Sequence, residues 1–165
     1  MLEAIVAVNA DWGIGAEGTQ SVVLRADRRR FRALTLGAAV IAGRRTLADF
    51  PGGKPLPGRV NLILTRRSPE IEGAVTVRSV SEALRRASDY PRVFVIGGAS
   101  VYRALFPYLR RVHVTRLDCA PESDVFFPDL DADSAWHVAD AAPPQTENGV
   151  GYQFLVYEKE DTAHV

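Results

Sequence analysis

Asp27 is the acidic residue in this sequence whose surroundings best fit a chemical role. It is the only carboxylate between Glu17 and Asp49, and it stands at the start of an arginine-rich stretch with helical periodicity. A carboxylate in the first turn of a helix commonly does no more than interact with the helix dipole. At the floor of a pocket, burial would raise its pKa, and it could bind an amidine-like heterocycle through two hydrogen bonds. The residues alone leave both interpretations open.

Several glycine- or arginine-containing segments are candidates for binding phosphate. Gly97-Gly98-Ala99-Ser100 joins an apolar strand directly to a predicted helix, where free N–H groups favour an anion, although a tight turn explains the segment equally well. Arg44 and Arg45 follow one predicted strand and Thr65-Arg66 follows another, so parallel strands would bring them to one edge of the sheet. Each arginine taken singly is more simply a solvated charge. Their clustering favours a phosphate site.

Two further segments have a simple and a functional interpretation. Gly13-Ile14-Gly15-Ala16-Glu17-Gly18 matches the glycine pattern of a dinucleotide-binding turn. Six residues, 19–24, separate it from the first predicted helix, so no helix N-terminus would face a pyrophosphate there, and a flexible loop is favoured. Arg59 is a loop charge by default, and it would be a bidentate carboxylate clamp if it faced the same cleft as Asp27.

The elements that must position these residues follow from apolar periodicity. A helix with Asp27 in its first turn is predicted over 26–36, a second begins at the capping-box spacing Ser79-Val80-Ser81-Glu82, and a third follows Gly97-Gly98. Apolar, β-branched runs predict strands at 4–8, 40–42, 60–64, 74–77, 92–96, 112–115, 136–138 and 152–157. This order predicts an α/β domain with a mostly parallel sheet and an antiparallel C-terminal closure.

Composition narrows the class of protein. A chain of 165 residues with 47% hydrophobic and 24% charged residues is typical of one globular domain, which we assign to residues 1–165. Twenty basic residues balance twenty acidic ones, so a nucleic-acid partner is disfavoured. No membrane span or signal peptide is expected, because no apolar run approaches about 18 residues and Met1-Leu2-Glu3 lacks a basic n-region and an apolar h-region. The single cysteine, Cys119, cannot form an internal disulfide, and the three histidines share no short spacing with it or with one another, so no zinc motif is expected. We therefore expect a cytoplasmic protein.

Taken together, these segments resemble dihydrofolate reductase, and their order and spacing hold over essentially the whole chain. The segments that carry the resemblance are Ala4-Ile5-Val6-Ala7, Trp12-Gly13-Ile14-Gly15, Asp27 with Phe31 and Thr35-Leu36-Gly37, Val40 to Thr46, Pro51 to Asn61, Val95 to Tyr102, and Asp124-Val125-Phe126-Phe127-Pro128. The resemblance implies a three-layer α/β fold with a mostly parallel eight-stranded central sheet, a C-terminal antiparallel hairpin and about four flanking helices.

The resemblance also implies an activity and a set of site residues. The activity is hydride transfer from NADPH to C6 of dihydrofolate with protonation of N5, promoted by Asp27 as the catalytic carboxylate. The implied substrate-binding residues are Ile5, Val6, Asp27, Arg28, Phe31, Phe50, Leu56, Arg59, Ile96, Tyr102 and Thr115. The implied cofactor-binding residues are Ala7, Ile14, Gly15, Gly43, Arg44, Arg45, Thr46, Leu64, Thr65, Arg66, Arg78, Gly97, Gly98, Ala99 and Tyr102. A cis peptide is expected at Gly97-Gly98.

The sequence departs from the family pattern near the pocket. Ser21-Val22 stands where many relatives have Pro-Trp, and Arg25 stands where proline is usual. Arg28 replaces an apolar residue that normally touches the substrate, so it either reaches the glutamate tail or points into solvent. Gln20 and Val125 also differ from common cofactor-contact types.

The favoured hypothesis is a monomeric, NADPH-dependent dihydrofolate reductase acting on a small-molecule substrate. Two alternatives share the fold. One is the pyrimidine reductase of riboflavin synthesis, which takes a ribosyl-phosphate substrate, and the other is a catalytically silent NADPH-binding protein. Asp27 and Arg59 in their family positions favour the folate substrate.

Overall fold

A mixed central sheet forms the middle layer of the protein, and helices flank it. The structure, a computed structural model, describes residues 1–16 and 22–160. The strands are β1 (Leu2–Val8), β2 (Gly13–Gly15), β3 (Ala39–Gly43), β4 (Val60–Leu64), β5 (Val75–Val77), β6 (Val93–Gly97), β7 (Leu109–Leu117), β8 (Val125–Phe126), β9 (Trp136–Ala141), β10 (Gln145–Glu147) and β11 (Val150–Lys159). The α-helices are α1 (Arg25–Thr35), α2 (Arg44–Ala48), α3 (Val80–Ala87) and α4 (Ala99–Leu105).

The strand order in the central sheet is β10-β11-β7-β1-β6-β3-β4-β5, and β9 pairs with a further part of β11. The pairs from β7 to β5 are parallel, whereas β11 runs antiparallel to β7, β9 and β10. This arrangement confirms the predicted fold class. Strand β1 is central and almost fully buried, as its continuous apolar sequence predicts for a strand covered on both faces.

The parallel register brings the predicted phosphate-binding segments together. Gly43 lies opposite Leu64, and Ala42 lies opposite Gly97, so β3, β4 and β6 end at one edge of the sheet. Helices α2 and α4 begin directly after β3 and near the end of β6. A ligand site at the carboxyl ends of parallel strands is the general expectation for open α/β sheets.

The glycine-rich segment 13–18 was predicted to be a flexible loop, but its first three residues form a strand. Gly13–Gly15 forms β2, which pairs antiparallel with β8, and Gly13 lies opposite Phe126. A Cβ on Gly13 would lie 2.6 Å from the Ser123 Cβ, so glycine permits the close approach of the two segments. The rest of the segment, Glu17 and Gly18, lies outside the described residues, as do Gln20 and Ser21.

Side-chain hydrogen bonds fix the N-terminal ends of α1 and α3. The amides of Arg25 and Ala26 donate to the Glu147 carboxylate at 2.6 and 3.0 Å, so β10 supplies the N-terminal cap of α1. Proline at position 25 could not make the first of these bonds. In α3, Ser79 Oγ accepts from the Glu82 amide at 3.1 Å, which confirms the predicted capping position. None of the helices formed by residues 1–16 and 22–160 is both long and apolar enough to cross a membrane.

Candidate active site

A cavity of about 500 Å³ lies between α1, the second half of β1 and the segment after α2. Its walls are mainly apolar, and Asp27 supplies a carboxylate from the first turn of α1. The residues that line it are Ile5, Val6, Ala7, Val23, Asp27, Arg28, Phe31, Thr46, Asp49, Phe50, Ile96 and Tyr102. An apolar cavity with few polar groups is the usual form of a small-molecule site.

Asp27 is held from the sheet behind it. Thr115 on β7 is buried, and its Oγ1 donates to Asp27 Oδ1 at 2.6 Å. Burial raises the pKa of the Asp27 carboxyl, while the Thr115 hydrogen bond and the positive charge of Arg30 act against that rise. The net effect is a carboxyl that takes up a proton at higher pH than an exposed aspartate does.

Tyr102 forms the opposite wall of the same cavity. Its hydroxyl donates to the Ile5 carbonyl at 2.6 Å and so ties α4 to β1. Burial and the nearby negative charge of Asp27 raise the pKa of Tyr102 far above its ordinary value. Tyr102 therefore stays neutral, and Asp27 is the group of the two that can exchange a proton.

A second cavity, of about 590 Å³, adjoins the first along the carboxyl edge of the sheet. Thr46 and Asp49 line both cavities, so the two are neighbours. The second cavity is bounded by the ends of β3, β4 and β6 and by the β2–β8 pair. Its lining residues are Ile14, Gly15, Gly43, Arg44, Arg45, Thr46, Asp49, Leu64, Gly98, Ala99, Ser100, Val101, Arg103, Asp124 and Val125.

Small residues give this second cavity its shape. The peptide Gly97-Gly98 is cis, as expected from the sequence, and Gly97 has a φ of 130°. A Cβ at Gly97 or Gly98 would lie 3.4 Å from Thr46 Oγ1, and a Cβ at Gly43 would lie 3.0 Å from Val101 Cγ2. Side chains at these three positions would therefore press on the residues that line the cavity. Glycine keeps the backbone accessible to a ligand.

Several residues named from the sequence lie beside the cavities rather than in their walls. Arg59 Nη1 donates to Thr35 Oγ1 at 3.2 Å, which places the guanidinium against the C-terminal end of α1. Leu56 is buried, and its amide donates to the Asn61 side chain. Arg78 donates to the carbonyls of Thr65 and Ser68 and so fixes the loop after β4. Arg66 in that loop is exposed.

Two of the departures from the family pattern fall within the described residues at the cavities. Arg28 is exposed and lines the first cavity, and Val125 lines the second. Val22 packs against the small apolar cluster around Leu24, away from these linings.

The sequence-based site missed residues that only the fold brings to the cavities. These are Val23, Asp49, Val101, Arg103 and Asp124 in the linings, and Arg30 near Asp27. Asp49 carried a usable signal, because it directly precedes Phe50, which was already assigned to the pocket. Arg30 carried a weaker one, since it lies three residues after Asp27 and therefore on a neighbouring part of the helix surface.

Comparisons with known proteins agree with this geometry. A family model described as dihydrofolate reductase matches residues 1–159. A dihydrofolate reductase of Bacillus subtilis is 33% identical over 166 aligned positions, covering 99% of this chain and 97% of its own length. One from Neisseria gonorrhoeae is 34% identical and covers 87% of this chain and 89% of its own length. The solved structure of a dihydrofolate reductase from Enterococcus faecalis, complexed with NADP(H) and RAB-propyl, superposes with a TM-score of 0.86 at 31% identity, covering 98% and 97% of the two chains.

Proposed function

The chain belongs to the dihydrofolate reductase family, and on that premise we propose that its two adjoining cavities carry out the NADPH-dependent reduction of 7,8-dihydrofolate to tetrahydrofolate. When bound, NADPH supplies the hydride for C6 of the pterin, and a proton is added at N5. The observation that carries the assignment of residues is Asp27, a largely buried carboxylate with a raised pKa in a cavity of substrate size.

Asp27 binds and orients the pterin in this proposal. Its carboxylate accepts hydrogen bonds from the 2-amino and N3 groups, the two-point contact that suits a planar amidine-like edge. The hydroxyl of Thr115 fixes the carboxylate from behind. Because Asp27 then lies on the far side of the ring from N5, it promotes protonation there through water rather than by direct contact.

The remaining substrate contacts divide between apolar walls and a cation. Phe31, Phe50 and Ile96 face the cavity and would sandwich the rings of the substrate. Arg59, held by its bond to Thr35, is the clamp for the α-carboxylate of the glutamate tail. Ile5, Val6, Leu56 and Tyr102 complete the proposed wall, and Arg28 lies at the rim of the cavity.

The second cavity fits the cofactor. The glycine positions 43, 97 and 98 form a cradle that a Cβ would partly fill, and it lies where parallel strands end. Arg44 and Arg45 line the cavity and would neutralise phosphate, together with Thr65 and Arg66 on the loop after β4 and Arg78, which donates hydrogen bonds to that loop. Ile14 and Gly15 approach from β2, and Ala7 and Tyr102 lie on the side shared with the substrate. Thr46, Leu64 and Ala99 complete the proposed set.

The proposal takes the chain as one domain, residues 1–165, that works as a monomer in the cytoplasm on a small-molecule substrate. Nucleic acid is not a proposed partner, because the balance of twenty basic and twenty acidic residues provides no net charge to attract it.

The test follows NADPH absorbance with the purified protein and dihydrofolate across a range of pH. We expect turnover that declines as pH rises through the raised pKa of Asp27. Asp27→Asn should lower kcat/KM near neutral pH by a factor of about 10² to 10⁴, the usual contribution of a positioned acid, and the deficit should narrow at low pH. Asp89→Asn removes an exposed carboxylate after α3 and serves as the matched control.

Three results would contradict the proposal. Normal activity of Asp27→Asn would remove this carboxylate from the mechanism. NADPH binding without turnover would identify a silent binding protein, and turnover restricted to a phosphoribosyl pyrimidine would identify the riboflavin-pathway reaction.

A further inference from the structure

Arg30 is a cation that α1 directs toward the sheet rather than into solvent. Its Nη1 donates to the Val114 carbonyl on β7 at 2.9 Å, and its Nη2 donates to the Leu155 carbonyl on β11 at 3.4 Å. The guanidinium also lies over the Phe154 ring, with Cζ 4.5 Å from the ring centroid. Two carbonyls and an aromatic face therefore hold the charge in place behind the helix.

This anchoring places the cation close to the group proposed to bind the pterin. Val114, which accepts from Arg30, directly precedes Thr115, whose hydroxyl donates to Asp27. Asp27 and Arg30 are also three residues apart on α1, a spacing that brings side chains to neighbouring positions. The Arg30 guanidinium and the Asp27 carboxylate thus form hydrogen bonds with adjacent buried residues of β7.

Among the described residues, the guanidinium forms hydrogen bonds to carbonyls and no ion pair. A direct salt bridge would occupy the Asp27 carboxylate that the substrate needs. A cation held at the neighbouring strand residue stabilises the negative charge of Asp27 and leaves the Asp27 carboxylate available to the substrate. This is possible because electrostatic attraction acts beyond contact distance in a partly buried site.

We propose that Arg30 is a positioning residue whose fixed positive charge favours the ionised form of Asp27 and thereby sets the pH at which the enzyme loses turnover. The kinetic part of this inference rests on the proposed function, whereas the titration of Asp27 does not. Arginine suits the task because its guanidinium remains charged throughout the relevant pH range.

The other charged or titratable groups around the pair act less directly. Asp140 on β9 interacts with Arg30 and helps to keep it protonated, against the lowering of the Arg30 pKa by burial. Tyr102 on α4 faces Asp27 but stays neutral, because its pKa is raised. Burial is the main influence on the Asp27 pKa and raises it, and Arg30 is the nearby charge that lowers it.

The decisive experiment compares Arg30→Lys with Arg30→Gln in the full-length protein without substrate. Both variants lose the guanidinium fork, but only the lysine keeps a positive charge. The carboxyl carbon of Asp27 is titrated by ¹³C NMR in each. We expect Arg30→Gln to raise the Asp27 midpoint by about one pH unit, the lower end of the range for a nearby opposite charge, and Arg30→Lys to restore most of the difference.

Arg30→Met is a second uncharged variant that keeps apolar contact with Phe154, and it should show the same upward shift. Thermal unfolding establishes that each variant is folded at the temperature of the titration. The proposal would be overturned if Asp27 titrates with the same midpoint in Arg30→Lys and in a folded uncharged variant, Arg30→Gln or Arg30→Met. Equal midpoints would mean that the role of Arg30 is purely structural, because such a role does not depend on the charge of the side chain.

Kinetics give an independent readout. The high-pH decline of kcat should move upward in Arg30→Gln by the same amount as the NMR midpoint, and stay near the wild-type position in Arg30→Lys. An NMR shift with no turnover in any variant, wild type included, would uphold the role of Arg30 and refute the proposed function. A kinetic decline that does not follow the NMR midpoint would refute the link between Arg30 and turnover.

Discussion

Glu3 is a buried charge near the start of β1 that lines neither of the two cavities, and its removal should destabilise the fold. Its side chain is 4% exposed and accepts a hydrogen bond from His113 Nε2 at 2.9 Å. Arg92 and Arg111 approach its oxygens at 3.4 Å. Arg92 directly precedes β6, and Arg111 and His113 belong to β7, so Glu3 joins the three central strands.

The magnitude of the Glu3→Gln effect follows from how deeply each partner is buried. A hydrogen bond between the carboxylate and the buried His113 contributes about 1.5 to 3 kcal/mol. The contacts with the partly exposed arginines add about 0 to 1 kcal/mol each. Removing one member of a buried charged cluster costs about 3 to 5 kcal/mol, and the exposure of the arginines favours the lower end. We expect about 3 kcal/mol, or a fall in Tm of about 6 to 12 °C for a chain of this length.

The effect should depend on pH. Burial alone would raise the pKa of Glu3, but the His113 hydrogen bond and the charges of Arg92 and Arg111 outweigh it and lower the pKa. A carboxyl with a lowered pKa in the folded state contributes stability above its unfolded pKa of about 4.3, and that contribution disappears as pH falls through the folded value. The gap between wild type and Glu3→Gln should therefore be largest near pH 7 and shrink below about pH 4.

Urea denaturation followed by circular dichroism at pH 7 and at low pH measures both quantities. Arg92→Gln is the matched control, because it removes a partner that is 49% exposed and should cost no more than about 1 kcal/mol. A Glu3→Gln variant within 1 kcal/mol of wild type at pH 7, or one whose deficit grows on acidification, would refute this account of the cluster.

Variants at three further positions test the site. Thr115→Val should raise the Asp27 pKa by about 0.7 units, because the hydroxyl stabilises the carboxylate by about 1 kcal/mol more than the neutral acid. Thr115→Ser keeps a hydroxyl and should restore the wild-type pKa. A pH profile of kcat measures the Asp27 pKa in both variants. Gly13→Ala should weaken NADPH binding about tenfold in a fluorescence titration, the effect of about 1.4 kcal/mol, because its Cβ would force β2 away from Ser123. Unchanged affinity would show that cofactor binding does not depend on this close approach. Arg44→Gln should reduce the preference for NADPH over NADH by about 10- to 100-fold in kcat/KM, the loss of one charged hydrogen bond to phosphate.

The main elements of the fold were predictable where a local pattern carries enough information. The runs that became β1, β3, β4 and β6 are almost entirely apolar and end in glycine or a polar turn, which is the pattern of a buried parallel strand. Strand β2 was not predicted, because two of its three residues are glycine and the segment has no apolar, β-branched run. Its partner lies more than a hundred residues away, so only the tertiary structure reveals the pairing of Gly13 with Phe126.

The site shows the same division between local and long-range information. Asp27 was identifiable as an isolated carboxylate early in a helix. Its partner Thr115 lies 88 residues away and was assigned only through resemblance. Asp49 lines both cavities, and its one signal in the sequence was its position directly before Phe50, which the resemblance had assigned to the pocket.

The arginines of α1 show why residue type alone cannot assign a role. Five of the eleven residues in the helix are arginine, and the sequence treats them as one basic stretch. Successive residues turn by about 100° around a helix, so Arg28 and Arg30 point in nearly opposite directions. Arg28 lines the first cavity, whereas Arg30 packs on Phe154 behind Asp27. A charge that faces the ligand can bind it directly, but one fixed behind the acid can act only by changing how readily that acid ionises. Identical side chains two residues apart thus acquire different chemistry from the helix and the sheet on which it packs.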